Sequence, residues 1–203
     1  MNDLSAGASR HDAKERLLVE ALASVRQKAE DAELDFGFYE EQVRLLESLS
    51  TPAGADRWFV DRRIELAWEI VRQLGTSFPS GRTLSRRALI AAFPSGSELT
   101  DRRWERKWHT ALGSIEFWSG RVDLAWRLKS RALQLARELG DTVGEVIELG
   151  NFAGWLNGAG RYESSLELVA TAVHVAGDVL VTETLRGFSI TRGNALFRLG
   201  LAF

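Results

Sequence analysis

The residues able to do acid–base or metal chemistry in this chain are few and poorly spaced for it. The sequence holds three histidines, His11, His109 and His174, and no cysteine. Lack of cysteine excludes disulfides, thiolate zinc sites, iron–sulfur ligation and a cysteine nucleophile. The histidines lie far apart. None stands in the His-Glu-x-x-His spacing that puts two imidazoles on one helix face. His109, beside Trp108 on a helical pattern, reads as a surface or partly packed residue. There is no Gly-x-x-x-x-Gly-Lys-Ser/Thr loop and no Gly-x-Ser-x-Gly elbow. Gly158-Ala159-Gly160 follows a helical pattern rather than a strand, so it reads as a hairpin turn and not as a phosphate loop. Neighbouring carboxylates such as Glu40 and Glu41 diverge on a helix and read as solvated. The sequence therefore predicts no catalytic residue, no metal ligand and no cofactor.

Binding chemistry is better represented. Seven tryptophans stand at Trp58, Trp68, Trp104, Trp108, Trp118, Trp126 and Trp155. Trp104 and Trp108 are four apart and share a helix face. They suit packing between helices, or an anchor surface for a partner, because tryptophan is enriched at interface hot spots. Arg86-Arg87, Arg102-Arg103 and Arg106-Lys107 form a basic middle, the last two pairs interleaved with Trp104 and Trp108. Such interleaving is used on single-stranded nucleic acid. A sequence pI near 6.0 lacks the overall basic footprint, so nucleic acid is disfavoured as a partner. The net charge of −2 is uneven. Residues 1–56 carry 6 Lys+Arg against 12 Asp+Glu, and residues 57–108 carry 11 against 6. The basic middle is expected to pair with acidic helix faces or with this acidic head.

The elements that must position these groups read as helices throughout. Only three prolines interrupt a chain that is 45% hydrophobic and 27% charged, an ordinary globular composition rich in good helix formers. In residues 12–31, Leu18, Ala21, Leu22, Val25 and Ala29 make one helical stripe. Asp12 is the expected cap there, with Glu15 as its capping-box partner. Further helices are expected over 37–49, from 55 or 56 to 74–75, over 83–93, and over 101–119 with Thr100 as its cap. Ser50–Gly54, Phe78–Gly81 and Pro94–Ser97 read as breaks. No convincing strand appears; Val179–Val181 is short and flanked by helical pattern. No apolar run reaches the length of a membrane span, and the first residues lack the apolar core of a secretory signal. A cytoplasmic protein is the expectation.

From about residue 100 the chain repeats itself. Gly120, Gly160 and Gly200 are 40 residues apart. Gly120-Arg121-Val122 matches Gly160-Arg161-Tyr162, and Ala132–Ala136 matches Ala172–Ala176. Gly140-Asp141 and Gly177-Asp178 follow, 37 apart rather than 40, so the second unit is shorter. The physical reading is a helix–turn–helix unit. The glycine supplies a left-handed C-cap, and small residues such as Ala125, Ala132, Ser165 and Ala172 let helices approach. Stacked units then build a continuous core. On these residues the chain resembles the tetratricopeptide repeat family. One unit has Leu112-Gly113, Gly120, Ala125 and Ala132, with Val122 where the family has an aromatic. The next has Ala153, Gly160, Tyr162, Ser165 and Ala172. A third begins with Gly193 and Gly200 and stops after Leu201-Ala202-Phe203. The family's usual proline after the second helix is missing. The Leu139-Gly140-Asp141 ending looks like the extended repeats of bacterial regulators.

The resemblance implies an all-α, right-handed helical-hairpin superhelical solenoid, with about two and a half repeats in 100–203. Residues 1–99 are an N-terminal helical region, read either as diverged repeats or as a separate helical cap. Ile64–Trp68 echoes Val122–Trp126. The resemblance also implies a groove lined by the first helix of each unit. Its candidates are Lys107, Thr110, Ser114 and Phe117, then Ile147, Gly150, Asn151, Gly154 and Asn157, then Ile190, Asn194 and Phe197. An asparagine amide pairs with both the N–H and the C=O of an extended peptide, and a bare glycine lets a ligand backbone approach. The implied function is capture of a protein or peptide ligand by a scaffold or adaptor module, without catalysis. The alternative is the sensing segment of a larger signalling enzyme or transcriptional regulator. A third unit halted after one helix suggests a piece of something longer. Exposed tryptophans and that uncapped end also make a homodimer an expectation.

Overall fold

Among the described residues of the computed structural model the apolar periodicity becomes eight helices and a further helical stretch. The structure describes residues 3–30, 35–49, 57–75, 79–93, 101–177, 191–196 and 198–200, the side chains of 3–11 excepted. The helices are α1 (Asp3–Glu30), α2 (Phe36–Ser48), α3 (Arg57–Leu74), α4 (Pro79–Ala92), α5 (Arg102–Trp118), α6 (Val122–Glu138), α7 (Thr142–Gly158) and α8 (Tyr162–Ala176). Residues 191–196 and 198 are also helical. Among the described residues there is no strand, and no helix is long and apolar enough to cross a membrane. The side chains of His11 and Phe197 lie outside the described residues. So do Ser50–Gly54, Pro94–Ser97, Thr100, Val179–Val181, Ile190 and 201–203.

Three expectations about helix starts need correction. Helix α1 begins at Asp3, so Asp12 is interior rather than a cap; its carbonyl accepts from Arg16. The polar segment before the apolar stripe simply extends the helix. Pro79 opens α4 instead of belonging to a turn, as its fixed φ and missing N–H allow at a first helical position. Asp101, not Thr100, caps α5, its carboxylate accepting from the Arg103 N–H at 2.8 Å. Asp35 and Asp141 cap α2 and α7 in the same way. A carboxylate there answers both the orphan N–H groups and the positive helix end.

The repeating glycines do end helices. Gly120, Gly160 and Gly200 have φ of 79, 78 and 70°, and Gly140 has 63°. At 120, 140 and 160 the glycine N–H donates to the carbonyl three residues back. The following N–H donates to the carbonyl five residues back, from Arg121 to Glu116, Asp141 to Ala136 and Arg161 to Leu156. This is the Schellman arrangement, which needs a left-handed residue and therefore favours glycine.

The chain divides into two compact units, Met1–Leu128 and Lys129–Phe203. In the first, α3 packs on α4, α1 on α3 and α2 on α4, with α5 against α3 and α4. Leu18, Val25, Val43, Leu46, Phe59, Leu66, Ile70, Leu89 and Ile115 are among its buried core. Arg63 is buried within it. Its guanidinium donates to the carbonyls of Leu46 and Ala91, in the last turns of α2 and α4, where helix dipoles favour a cation. Burial pulls its pKa below the usual arginine value. Gly81 lies so close to α3 that a Cβ there would stand 2.6 Å from the Leu74 carbonyl oxygen. In the second unit α7 packs on α8 around Val146, Leu149, Ala153, Val169, Ala172 and Ala176. Ser165 donates to the Ala153 carbonyl across this hairpin at 2.7 Å.

Candidate functional site

The described groove candidates fall on α5 in the first unit, and on α7 and the helical stretch 191–196 in the second. In the first unit, Lys107, Thr110, Ser114 and Phe117 run along one face of α5, all half-buried. Much of their chemistry is spent internally. The Lys107 ammonium lies 4.4 Å from the Trp104 ring centre and 5.6 Å from that of Trp68, a cation–π contact worth roughly 0.5–1 kcal/mol at a partly exposed site. Ser114 donates its hydroxyl proton to the Thr110 carbonyl. Phe117 meets Trp118 edge-on at 5.4 Å. Trp58, Trp68, Trp104 and Trp108 pack against the core of this unit. Trp108 also donates to the Leu89 carbonyl. Trp118 and Trp126 remain 54% and 43% exposed.

In the second unit, Ile147, Asn151, Gly154 and Gly158 follow one another at helical spacing on α7. Ile147, Gly154 and Gly158 are exposed, while Gly150, Asn151 and Asn157 are half-buried. Gly154 has nothing within 4 Å of where a Cβ would be, so this stretch of helix presents bare backbone. Asn157 donates to the Thr191 carbonyl at 3.4 Å, which ties α7 to the following helical residues. Asn194 is exposed on that next stretch.

Beneath this face lies an ion pair that sequence reading missed. Lys129 Nζ stands 3.0 Å from Glu148 Oε2, and both side chains are 0% exposed. Glu148 also accepts from Asn151 Nδ2 at 3.4 Å. The Lys129 ammonium lies 5.9 Å from the Trp155 ring centre. An ionised carboxylate only accepts, so the amide nitrogen of Asn151 must face Glu148. The other end of the amide, Oδ1, is an acceptor. A signal for the pair was present. Lys129 is flanked by Ala125, Leu128 and Ala132, all buried on the same stripe of α6, and Glu148 sits one turn before Phe152. A charge on an apolar stripe points to a buried, paired group.

Of the basic middle, Arg86 pairs with Glu116 and Arg87 with the acidic head. Arg87 makes a two-pronged bond to Glu47 at 2.9 and 2.8 Å and lies near Glu40, both in the acidic head. In the opposite sense, Arg26 of the acidic head pairs with Glu65 of the middle segment. Glu105 stands 3.9 Å from His109, which packs beside Trp108. Among the described residues no group of three or more His, Asp or Glu side chains converges as for a metal ion. Comparison with protein-family models, with characterised proteins and with solved structures gives no significant match.

Proposed function

We propose that this protein is a helical-hairpin binding module of tetratricopeptide-like architecture, which captures an extended segment of a partner protein by equilibrium binding, without a covalent step. Packing of helices onto the next but one, α1 on α3 and α2 on α4, supports stacked hairpins. So do Schellman glycines at the same place in successive units. The observation that carries the reading is the outer face of α7. There Asn151, oriented by the buried Lys129–Glu148 pair, stands beside the bare backbone at Gly154. The amide carbonyl accepts a ligand N–H, and Gly154 permits close approach of the ligand main chain. Ile147 offers an apolar contact.

The test is a titration of wild type, Asn151→Ala and Gly154→Ala with a linear peptide selected on the wild-type chain. Losing a buried hydrogen bond to a peptide group costs about 1–3 kcal/mol, so Asn151→Ala should bind about tenfold or more weakly; Gly154→Ala should also weaken binding, because its methyl holds the ligand main chain off the helix, and both should keep their helix content. Equal affinity for all three would remove α7 as the binding face.

A further inference from the structure

Separate from the α7 face, we propose that the unit Met1–Leu128 carries an anion site, a pocket for the phosphate group of a small molecule. A cavity of about 400 Å³ is lined by Pro79, Arg82, Thr83, Arg86, Arg87, Ile115, Ser119 and Arg121, a volume in the range of small-ligand sites. It contains four guanidinium groups and no carboxylate among its lining residues.

Glu116 sets the geometry. It lies in the last turn of α5 and is 1% exposed. A carboxylate is unfavourable there twice over, by burial and by the negative end of the helix. Two arginines compensate. Arg86 Nε donates to Oε1 at 2.9 Å, and Arg121 Nε donates to Oε2. The Gly120 turn folds Arg121 back over the last turn of α5, so its N–H and its side chain both reach Glu116. In the common form of this turn the equivalent contact is apolar. Each arginine engages Glu116 through Nε, which leaves its terminal amino groups for a further anion. Arg82 donates to the Trp118 carbonyl and meets no carboxylate among the described residues. Arg87 is committed to Glu47 and Glu40. Arg82, Arg86 and Arg121 set against Glu116 leave an excess of two positive charges.

That excess matches a phosphate monoester, which carries about −1.5 to −2 at neutral pH and three acceptor oxygens. Planar guanidiniums bind such oxygens with two-pronged geometry. The hydroxyls of Thr83 and Ser119 already donate to the Pro79 and Ile115 carbonyls, so the donors offered to a ligand are guanidinium N–H groups. The exposed Pro79 ring at the wall suits the carbon skeleton of a small molecule rather than a bare ion.

Calorimetric titration of the full chain with inorganic phosphate and with glucose 6-phosphate tests this, against glucose and sodium chloride at matched ionic strength. Saturable binding of glucose 6-phosphate is expected, with Arg82→Gln and Arg121→Gln each weakening it about tenfold or more. Arg82→Gln breaks only a bond to a surface carbonyl, so it reads the site even if Arg121→Gln unfolds. Inorganic phosphate binding as tightly as the ester would assign the site to the free anion and still support it. No saturable heat with either phosphate, or an unchanged isotherm in folded Arg82→Gln, would overturn the proposal.

Discussion

Removing one partner of the Lys129–Glu148 pair should be far more damaging than removing both. Coulomb's law at an effective dielectric of about 20 gives about 5.5 kcal/mol for unit charges at their 3.0 Å separation. Desolvating the two ions costs several kcal/mol each, so the intact pair is close to neutral for stability. Lys129→Met removes the ammonium that stands 3.0 Å from the wholly buried Glu148 carboxylate. The expected loss is about 3–5 kcal/mol. The double variant Lys129→Met, Glu148→Leu removes both charges of this pair and should recover most of that loss. Urea unfolding followed by tryptophan fluorescence reads the change. Amide hydrogen exchange along α7 then assigns it to the Lys129–Phe203 unit. A loss below about 1 kcal/mol in the single variant, or a double variant as unstable as the single one, would refute the buried-pair argument and the orientation of Asn151 that depends on it.

Arg63→Met should destabilise the first unit by about 2–4 kcal/mol, because the Leu46 and Ala91 carbonyls lose a shared donor; chemical denaturation checks it, and a loss under about 0.5 kcal/mol would contradict it. Two glycines on one hairpin should respond in opposite directions. Gly160→Ala, at φ 78°, should cost about 1–2 kcal/mol, whereas Gly154→Ala, helical with open space around it, should stabilise by about 0.5–1 kcal/mol while weakening peptide capture. Acid should act through Glu116. Burial alone would push its carboxyl up, but hydrogen bonds from Arg121 and Arg86 hold it below its ordinary value of 4.5. A depressed carboxyl contributes stability that is present above its unfolded pKa and lost as pH falls through the folded one. Wild type should therefore lose stability below about pH 4.5 more steeply than Glu116→Gln; parallel urea midpoints against pH would be the contrary result.

Helix positions were legible because burial follows the 3.6-residue stripe. Leu18, Ala21, Leu22 and Val25, marked by spacing alone, are all buried. The glycine ends were legible because few other residues adopt positive φ. Starts were harder. The polar run before Leu18 carries no periodic signal, so nothing in it distinguished a helix beginning at Asp3 from one beginning at Asp12. Thr100 and Asp101 are both good caps, and choosing between them depends on which side chain reaches a free N–H. The buried charges were the largest omission. Lys129 and Glu148 are 19 residues apart, on helices that meet only in the fold. Glu116 acquires its meaning from Arg86 and Arg121, which a turn and another helix bring to it. Sequence spacing marks such residues as anomalies on an apolar stripe but does not name their partners.

The central claim is that the outer face of α7 holds a peptide. Random linear peptides displayed on phage and selected on the immobilised full chain, then titrated with isotopically labelled protein, test it most directly. The account predicts chemical-shift changes centred on Ile147, Gly150, Asn151 and Gly154, and binding lost in Asn151→Ala. Shifts confined to other helices, or affinity unaltered in a folded Asn151→Ala variant, would contradict it.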